Sequence, residues 1–289
     1  MTAHLFTRRA FVRTAAAAAA AVLALGLSGC GQEDASGDSA KTTHVRIGVV
    51  GDYNAQWDYI KPLLAKENID IELIKYSDYA TPNRALNDKE LELNAFQHKA
   101  FLANDIKQNG YKLTAIGDTI IAPLRIYNNK NKIQSLADLK DGDKIGIPSD
   151  LTNGGRALKL LEAAGLIKVD PAKGFVPTKA DITEFVKKIE IVEAESGMLA
   201  NLLPDFSACI INGGNAFTAG LKPEDAVFSE KFDPENPYLK ELANVIVARD
   251  ADKDNAVYKR IVEAYQTPEV AKVIADAYKG GYLPAWKQQ

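Results

Sequence analysis

The sequence predicts an α/β fold with two lobes, on two observations. Segments with strand and helix patterns alternate along the chain, beginning with the apolar run Val45–Val50 and the helical spacing of Trp57, Ile60 and Leu64. Alternation of this kind favours mainly parallel sheets that carry helices on both faces. The chain also has 289 residues, longer than a single hydrophobic core usually becomes, so two lobes are expected.

The predicted elements follow one another in a regular order. The predicted strands are 45–50, 69–76, 91–96, a long β-like stretch over 112–128, 144–147, 189–192, a run around Cys209, and 244–248. The predicted helices are 56–66, 82–87, 98–108, 152–164, 198–203, 255–265 and 268–278. Ser135 and Asp138 have the spacing of a helix cap ahead of the strand at 144–147.

Polar and aromatic side chains gather where the predicted strands end. Open α/β sheets bind their ligands beyond the carboxyl ends of their strands, so these positions are candidates for a site. The candidate site residues are Tyr79 after the second strand, Phe96 and His98 at the third, Asn153 and Arg156 after 144–147, and Asn212 after the run around Cys209.

The segment 151–156, Leu-Thr-Asn-Gly-Gly-Arg, opens a predicted helix against local preferences. Two glycines stand in its first turn, where they are poor helix formers, and Arg156 stands where the helix dipole is already positive. Such conflicts tend to occur at functional sites. We expect free backbone N–H groups and Arg156 to bind an anion, with the planar guanidinium holding a carboxylate. The alternative is that Arg156 simply pairs with Asp150.

The segment 94–99, Asn-Ala-Phe-Gln-His-Lys, places Phe96 on a predicted strand with His98 just beyond it. An aromatic ring beside a neutral imidazole suits a ligand with a small apolar side chain and a polar headgroup. No second histidine lies near His98 in the sequence, so we expect no metal site. We also expect no cofactor.

Charge and motifs argue against two large classes of function. The formal charge of −3 is spread along the chain, whereas nucleic-acid binding requires a basic patch, so no nucleic-acid partner is expected. The familiar motifs of hydrolases, zinc proteases, nucleotide-binding loops and dithiol redox sites are absent from the sequence, and we expect no enzyme. Cys209 lies in an apolar run and is expected to be a small buried hydrophobe rather than a nucleophile.

The N-terminus has the pattern of an export signal. Arg8, Arg9 and Arg13 precede an apolar run, Ala15–Gly26, that is too short to span a membrane. The run ends in Leu-Ser-Gly-Cys at Cys30, which resembles a bacterial lipobox. That resemblance implies cleavage before Cys30 and lipid attachment to its sulfur; an ordinary secretory signal with an incidental cysteine is the alternative.

The N-terminus is predicted to contain a signal peptide, a lipidated cysteine and a flexible tether. Residues 1–29 form a lipoprotein signal peptide, and the double arginine within it also resembles a twin-arginine export motif. Residues 30–43 comprise the lipidated cysteine and a flexible tether, because Gly31–Thr43 contains no large apolar residue. Two acyl chains on Cys30 would give a stable anchor, so the protein is expected at the cell membrane, facing outside the cytoplasm.

Six segments together carry a resemblance to a known family, the NlpA lipoproteins, from about Val45 to Trp286. They are Ser77–Tyr79, Pro82–Leu86, Asn94–Lys99, Asn109–Tyr111, Thr152–Ala157 and Ile211–Asn212. The best-known members of the family are methionine-binding lipoproteins of ABC importers. The resemblance implies a two-lobed periplasmic-binding-protein type II fold with a two-strand hinge, with lobe 1 at 44–126 plus 232–289 and lobe 2 at 127–231.

The resemblance also implies residue roles. The family's aromatic pair around the ligand thioether matches Tyr79 and Phe96, and His98 lines the same pocket. The arginine that takes the ligand carboxylate matches Arg156, with Asn153 beside it, and Asn212 matches the asparagine that helps to hold the ligand backbone. Three positions after Asn212 the family usually has an aromatic residue, where this chain has Asn215, with Phe217 two residues later.

The function expected from the resemblance is capture of a small amino acid, L-methionine first, and its delivery to an ABC permease and ATPase. Alternatives are a methionine-containing dipeptide, another amino acid, or an enzyme built on the same two-lobed fold. An adhesion lipoprotein with a vestigial site is a further alternative, against which the intact Arg156 and His98 argue.

Overall fold

The computed structural model describes residues 41–174, 176–231 and 240–287. The predicted signal peptide, Cys30 and most of the predicted tether lie outside these residues. The last predicted tether residue, Thr43, already belongs to the first strand. Within the described ranges, no helix combines the length and the apolar character needed to cross a membrane.

Strands and helices alternate as predicted over much of the chain. The strands are β1 (Thr43–Val50), β2 (Ile69–Tyr76), β3 (Leu93–Asn94), β4 (Leu113–Ile121), β5 (Arg125–Asn128), β6 (Lys144–Pro148), β7 (Ile167–Val169), β8 (Ile182–Phe185), β9 (Glu190–Ala194), β10 (Ala208–Ile211), β11 (Ala226–Ser229), β12 (Ala243–Arg249) and β13 (Leu283–Pro284). The helices are α1 (Ala55–Ala65), α2 (Thr81–Asn87), α3 (Lys99–Asn109), α4 (Leu151–Ala163), α5 (Leu199–Leu202), α6 (Gly213–Thr218), α7 (Ala256–Tyr265) and α8 (Pro268–Tyr278).

Two sheets divide the described chain into two lobes. The first lobe contains a six-stranded sheet in the order β13-β4-β12-β3-β1-β2, and the second a five-stranded sheet in the order β11-β5-β10-β6-β9. Each sheet has its own hydrophobic core. The largest core of the first lobe packs β1 and β2 against α1, α7 and α8, with Trp57 stacked edge-on to Tyr265 at 5.1 Å. The core of the second lobe packs β6 and β10 against α4 and the β7–β8 hairpin.

The chain passes between the lobes twice, as the two-strand hinge requires. β4 belongs to the first sheet and β5 to the second, so the first crossing lies at 122–124; the second follows β11 and ends at β12. The two crossings touch each other, because the backbone N–H of Glu230 donates to the carbonyl of Leu124 at 2.9 Å.

The predicted stretch 112–128 is therefore two strands in different sheets rather than one. Pro123 explains the break, since proline cannot donate to a strand ladder and is excluded from the interior of a sheet. Both sheets are also mixed, so the prediction of mainly parallel sheets is wrong. β1 pairs in parallel with β2 and β3, and β6 with β9 and β10. The strands that flank the crossings, β4, β5, β11 and β12, pair antiparallel.

Several elements had no clear signal in the sequence. The strands of the β7–β8 hairpin are only three and four residues long, and α6 begins with two glycines, which disfavour a helix. The predicted strand 91–96 is reduced to Leu93–Asn94, which turns at once toward α3. Cys209 is a buried free cysteine, and burial raises the pKa of its thiol to about 12, so it behaves as the predicted small hydrophobe.

Candidate functional site

A cavity lies between the two lobes, next to the crossings, and its volume is about 690 Å³ including its opening to solvent. The structure brings all six predicted site residues to this cavity: Tyr79, Phe96, His98, Asn153, Arg156 and Asn212. Tyr79, Phe96 and His98 come from the first lobe, and the other three come from the second. Residues of both lobes are therefore needed to form the cavity.

An aromatic wall forms the first-lobe side of the cavity. Tyr79 follows β2, and the carboxylate of Asp78 fixes this turn by accepting from the N–H groups of Ala80 and Thr81 at 2.9 and 2.7 Å. The ring of Tyr79 lies 5.9 Å from that of Phe96 and 6.0 Å from that of Phe101, within the range of favourable aromatic contact.

Phe101 completes this wall and was missed in the sequence. It lies three residues after His98, on the same face at the start of α3, and also contacts Phe96 at 6.0 Å. The helical spacing from His98 was a signal that could have identified it.

His98 caps α3 and carries its proton on the nitrogen that faces the other lobe. Its Nδ1 accepts from the N–H of Phe101 at 3.1 Å, so Nε2 holds the hydrogen and donates to Asn153 Oδ1 at 3.3 Å. Burial lowers the pKa of His98 to about 3, and the charge of Arg156 acts in the same direction. The imidazole is therefore neutral at physiological pH.

A chain of amide hydrogen bonds starts at the cap of α4. Asp150 accepts from the N–H of Asn153 at 2.9 Å and from its side-chain Nδ2 at 3.1 Å. This turns Asn153 Oδ1 toward Asn212, whose Nδ2 donates to it at 2.9 Å. The amide orientation of Asn212 is thereby determined, and its Oδ1 is buried without a hydrogen-bond partner among the described residues.

An unpartnered buried oxygen at a cavity is a costly feature unless a ligand supplies the missing donor. Since Asn212 lines the cavity, its Oδ1 is suited to accept a hydrogen bond from an ammonium or amide group.

Arg156 is paired, but not with Asp150. Its Nη2 donates to Glu230 Oε2 at 2.6 Å and to the carbonyl of Ala122 at 3.2 Å, and its Nε lies 3.5 Å from Glu230 Oε1. The side chain of Arg156 is only 3% exposed. Its Nη1 makes no hydrogen bond to the described residues and remains for a ligand. The partner Glu230 is 74 residues away in sequence, which no local pattern could show.

Two of the backbone N–H groups at the start of α4 are not free to bind an anion. The N–H of Asn153 donates to the carboxylate of Asp150, and the N–H of Gly154 donates to the backbone carbonyl of Asp150 at 2.8 Å. A Cβ at Gly154 would lie 2.8 Å from the carbonyl oxygen of Pro148. Glycine is therefore required there because the helix packs closely on β6, and Arg156 alone supplies the positive charge.

Asn215, which stands at the usually aromatic position, lies against the aromatic wall. Its Nδ2 is 3.4 Å from the hydroxyl of Tyr79. Phe217 does not take the place of an aromatic residue there. It packs instead among Tyr53, Tyr278 and Tyr282, at ring distances of 5.7, 5.2 and 5.3 Å.

The buried neutral imidazole predicts a specific dependence of stability on pH. In the unfolded chain His98 binds a proton below about pH 6.5, whereas in the folded protein it does so only near pH 3. Stability is therefore fully present above pH 6.5 and is lost as the pH falls. As the pH falls from 5.5 to 4, the free energy of unfolding of the ligand-free wild-type protein should decrease faster than that of His98→Asn. The difference between the two slopes should be about 1.4 kcal/mol per pH unit.

Asparagine is the matched replacement in this test because it can also cap α3. Denaturant unfolding at a series of pH values gives both slopes, and their difference does not depend on how stable each protein is at pH 8. Parallel curves for the two proteins would contradict a neutral buried His98.

Comparison with known proteins agrees with this architecture. The D-methionine-binding lipoprotein MetQ of Salmonella typhimurium is 38% identical over 279 residues, which cover 95% of this chain and 98% of that protein. The substrate-binding protein of a methionine transporter from Streptococcus pneumoniae superposes with a TM-score of 0.79 at 35% identity, covering 84% of this chain and 96% of that one.

A nutrient-binding protein from Burkholderia cenocepacia, whose crystal structure contains methionine, superposes with a TM-score of 0.77 at 36% identity. The match covers 84% of this chain and all of that one. The predicted two-lobed type II periplasmic-binding fold is thus confirmed. The sequence model of the NlpA lipoproteins matches residues 45–286, and the chain belongs to the NlpA lipoprotein family.

Proposed function

We propose that this protein is an extracytoplasmic substrate-binding protein that captures methionine and delivers it to the permease and ATPase of an ABC importer. The observation that carries the proposal is a cavity with a buried guanidinium and an unpartnered amide oxygen beside an aromatic wall. These groups match the carboxylate, the ammonium and the thioether of methionine. The names of the relatives support it, since they are methionine-binding proteins and one was crystallised with methionine.

The ligand's polar end would lie against the second lobe. Arg156 Nη1 would donate to the carboxylate, and Asn212 Oδ1 would accept from the ammonium. Asn153 would act indirectly, because its side chain is already bonded to Asp150, His98 and Asn212 and so fixes the direction of the last two.

The ligand's side chain would lie against the first lobe. Tyr79, Phe96 and Phe101 present ring faces and edges to one region of the cavity. A flexible, polarizable thioether makes favourable contacts with aromatic rings at about 5 Å. The neutral His98 caps this region without bringing a charge to the apolar part of the ligand.

Binding and release, rather than catalysis, are the proposed activity. Among the described residues that line the cavity, Arg156 is the only charged side chain, and no carboxylate stands near His98 to form an acid–base pair. The relatives are likewise binding proteins by name, and the one from Streptococcus pneumoniae is named as the substrate-binding protein of a methionine transporter. The division into lobe 1 (44–126 plus 232–289) and lobe 2 (127–231) is part of the same proposal, except that residues 125–126 go with lobe 2 because they belong to β5 of the second sheet. Closure about the crossings would enclose the ligand.

Isothermal calorimetry on ligand-free protein tests the ligand. We expect methionine to bind at least about tenfold more tightly than leucine, the size of preference that a shaped apolar pocket provides. Both enantiomers of methionine and the dipeptide glycyl-methionine belong in the series, because the cavity volume alone does not separate them. Tightest binding of glutamate or lysine would overturn the proposed aromatic slot.

Arg156→Lys tests the role of the guanidinium. Lysine keeps a positive charge for Glu230 but lacks the second terminal nitrogen, Nη1, of the guanidinium fork. The affinity of this variant for methionine should therefore fall by about 1.5–3 kcal/mol, the contribution of a hydrogen bond to a charged group. Arg46→Lys, which changes an arginine paired with Glu92 outside the cavity, is the matched control for calorimetry. Wild-type affinity in Arg156→Lys would rule out the proposed contact.

Cys30→Ala tests the proposed lipid anchor. Without the sulfur that carries the acyl chains, the processed protein should move from the membrane fraction to the soluble extracytoplasmic fraction. Cys209→Ala is the control, since it removes the chain's other cysteine from a buried position and should leave the protein with the membrane. Immunoblots of fractionated cells give the answer, and a Cys30→Ala protein that stays with the membrane would refute the anchor.

A further inference from the structure

Arg156 and Glu230 form an electrically neutral ion pair beside the cavity. Arg156 is a buried cation at the cavity, and the imidazole of His98 is neutral. No acidic side chain lines the cavity among the residues that the structure describes. The one carboxylate bonded to this cation is Glu230, which is 20% exposed and does not itself line the cavity. Together Arg156 and Glu230 are electrically neutral, as is an amino acid in its zwitterionic form.

Glu230 is fixed behind Arg156 by the crossings. Its Oε2 accepts from Arg156 Nη2 at 2.6 Å and from the backbone N–H of Leu124 at 3.0 Å. Its own N–H donates to the carbonyl of Leu124 at 2.9 Å. Glu230 therefore cannot swing into the cavity to touch a ligand, and it can act on one only through its charge and through Arg156.

We infer that Glu230 is a selectivity-determining residue that makes the site prefer zwitterions over simple carboxylates. This inference rests on the proposed function. Glu230 repels the ligand carboxylate held by Arg156 but attracts the ammonium of the same ligand, so the two effects largely cancel for an amino acid. For a carboxylate that lacks the ammonium only the repulsion remains. Specificity is a difference of two affinities, and Glu230 supplies the repulsive part against the wrong ligand.

The variant E230Q removes the charge while keeping the geometry. The glutamine oxygen can take the place of Oε2 and accept from both Arg156 and Leu124. Its amide nitrogen then replaces Oε1, whose only hydrogen bond to the residues described by the structure is the long one to Arg156 Nε. The two ligands are methionine and 4-(methylthio)butanoate, which is methionine without its ammonium group.

Calorimetry in one buffer gives the ratio of the two dissociation constants, that of 4-(methylthio)butanoate over that of methionine. We expect this ratio to fall at least tenfold in E230Q relative to the wild type. Glu92→Gln is the matched control, because Glu92 pairs with Arg46 at 2.8 Å and is 24% exposed, but lies outside the cavity. Its ratio should equal that of the wild type.

A second pair of variants covers the case in which E230Q does not fold. Glu230→Asp and Glu230→Asn are shortened equally and differ only in charge, so the ratio should be at least tenfold lower in the Asn variant. An equal ratio within either pair, wild type and E230Q or Asp and Asn, overturns the inference while leaving the proposed function intact. Failure of the wild-type protein to bind methionine would instead remove the proposed function.

Discussion

The buried ion pair between Arg156 and Glu230 joins the parts of the molecule on which ligand capture depends. Arg156 belongs to α4 of the second lobe, while its two acceptors, Ala122 and Glu230, belong to the first and second crossings. A cation that is only 3% exposed is stable only with a partner, and removing one member of such a pair is strongly destabilising. The same contact therefore fixes the position of α4 relative to the hinge and directs the free edge of the guanidinium into the cavity.

The polar side of the cavity follows from a second constraint, the cap of α4. Asp150 accepts from the backbone N–H of Asn153 and simultaneously orients the side-chain amide of the same residue. Each amide in turn determines the next, until Asn212 presents an oxygen that the described protein leaves unpaired. The carboxylate of Asp150 thus determines that Asn212 presents a hydrogen-bond acceptor, its Oδ1, to the cavity rather than a donor. An acceptor next to a guanidinium is complementary to an ammonium next to a carboxylate.

The sequence predicted the six cavity residues better than it predicted the interactions around them. The positions of these residues were predictable because strand ends converge in α/β folds, and because Phe96 and His98 lie in a segment that carries the resemblance to the family. The hydrogen-bond partners of these residues could not be predicted, because the pairing of Arg156 with Glu230 spans 74 residues and depends on how the second crossing returns to the first. The glycines at 154–155 were predicted to mark a functional site, yet the close packing of Gly154 on Pro148 is a tertiary contact that no local pattern reveals. The antiparallel strand pairs in both sheets were not predicted, for a similar reason. The direction of a strand beside a crossing depends on which sheet it enters.

The contacts between the lobes include both hydrogen bonds and aromatic packing. Near the crossings, Arg125 of the second lobe donates to the carbonyls of Gly280 and Gly281 of the first at 3.0 and 3.4 Å, and Phe217 packs into an aromatic cluster with Tyr278 and Tyr282. Across the cavity, two hydrogen bonds of similar length join the lobes, from His98 to Asn153 at 3.3 Å and from Asn215 to Tyr79 at 3.4 Å.

Opening the cavity would break these two hydrogen bonds, while the contacts beside the hinge could remain. A ligand that bonds to Arg156 and Asn212 on one lobe and packs against Tyr79 and Phe96 on the other would add the attraction that the far side of the cleft lacks. Closure would then depend on the ligand, because only the occupied cavity supplies contacts on both sides.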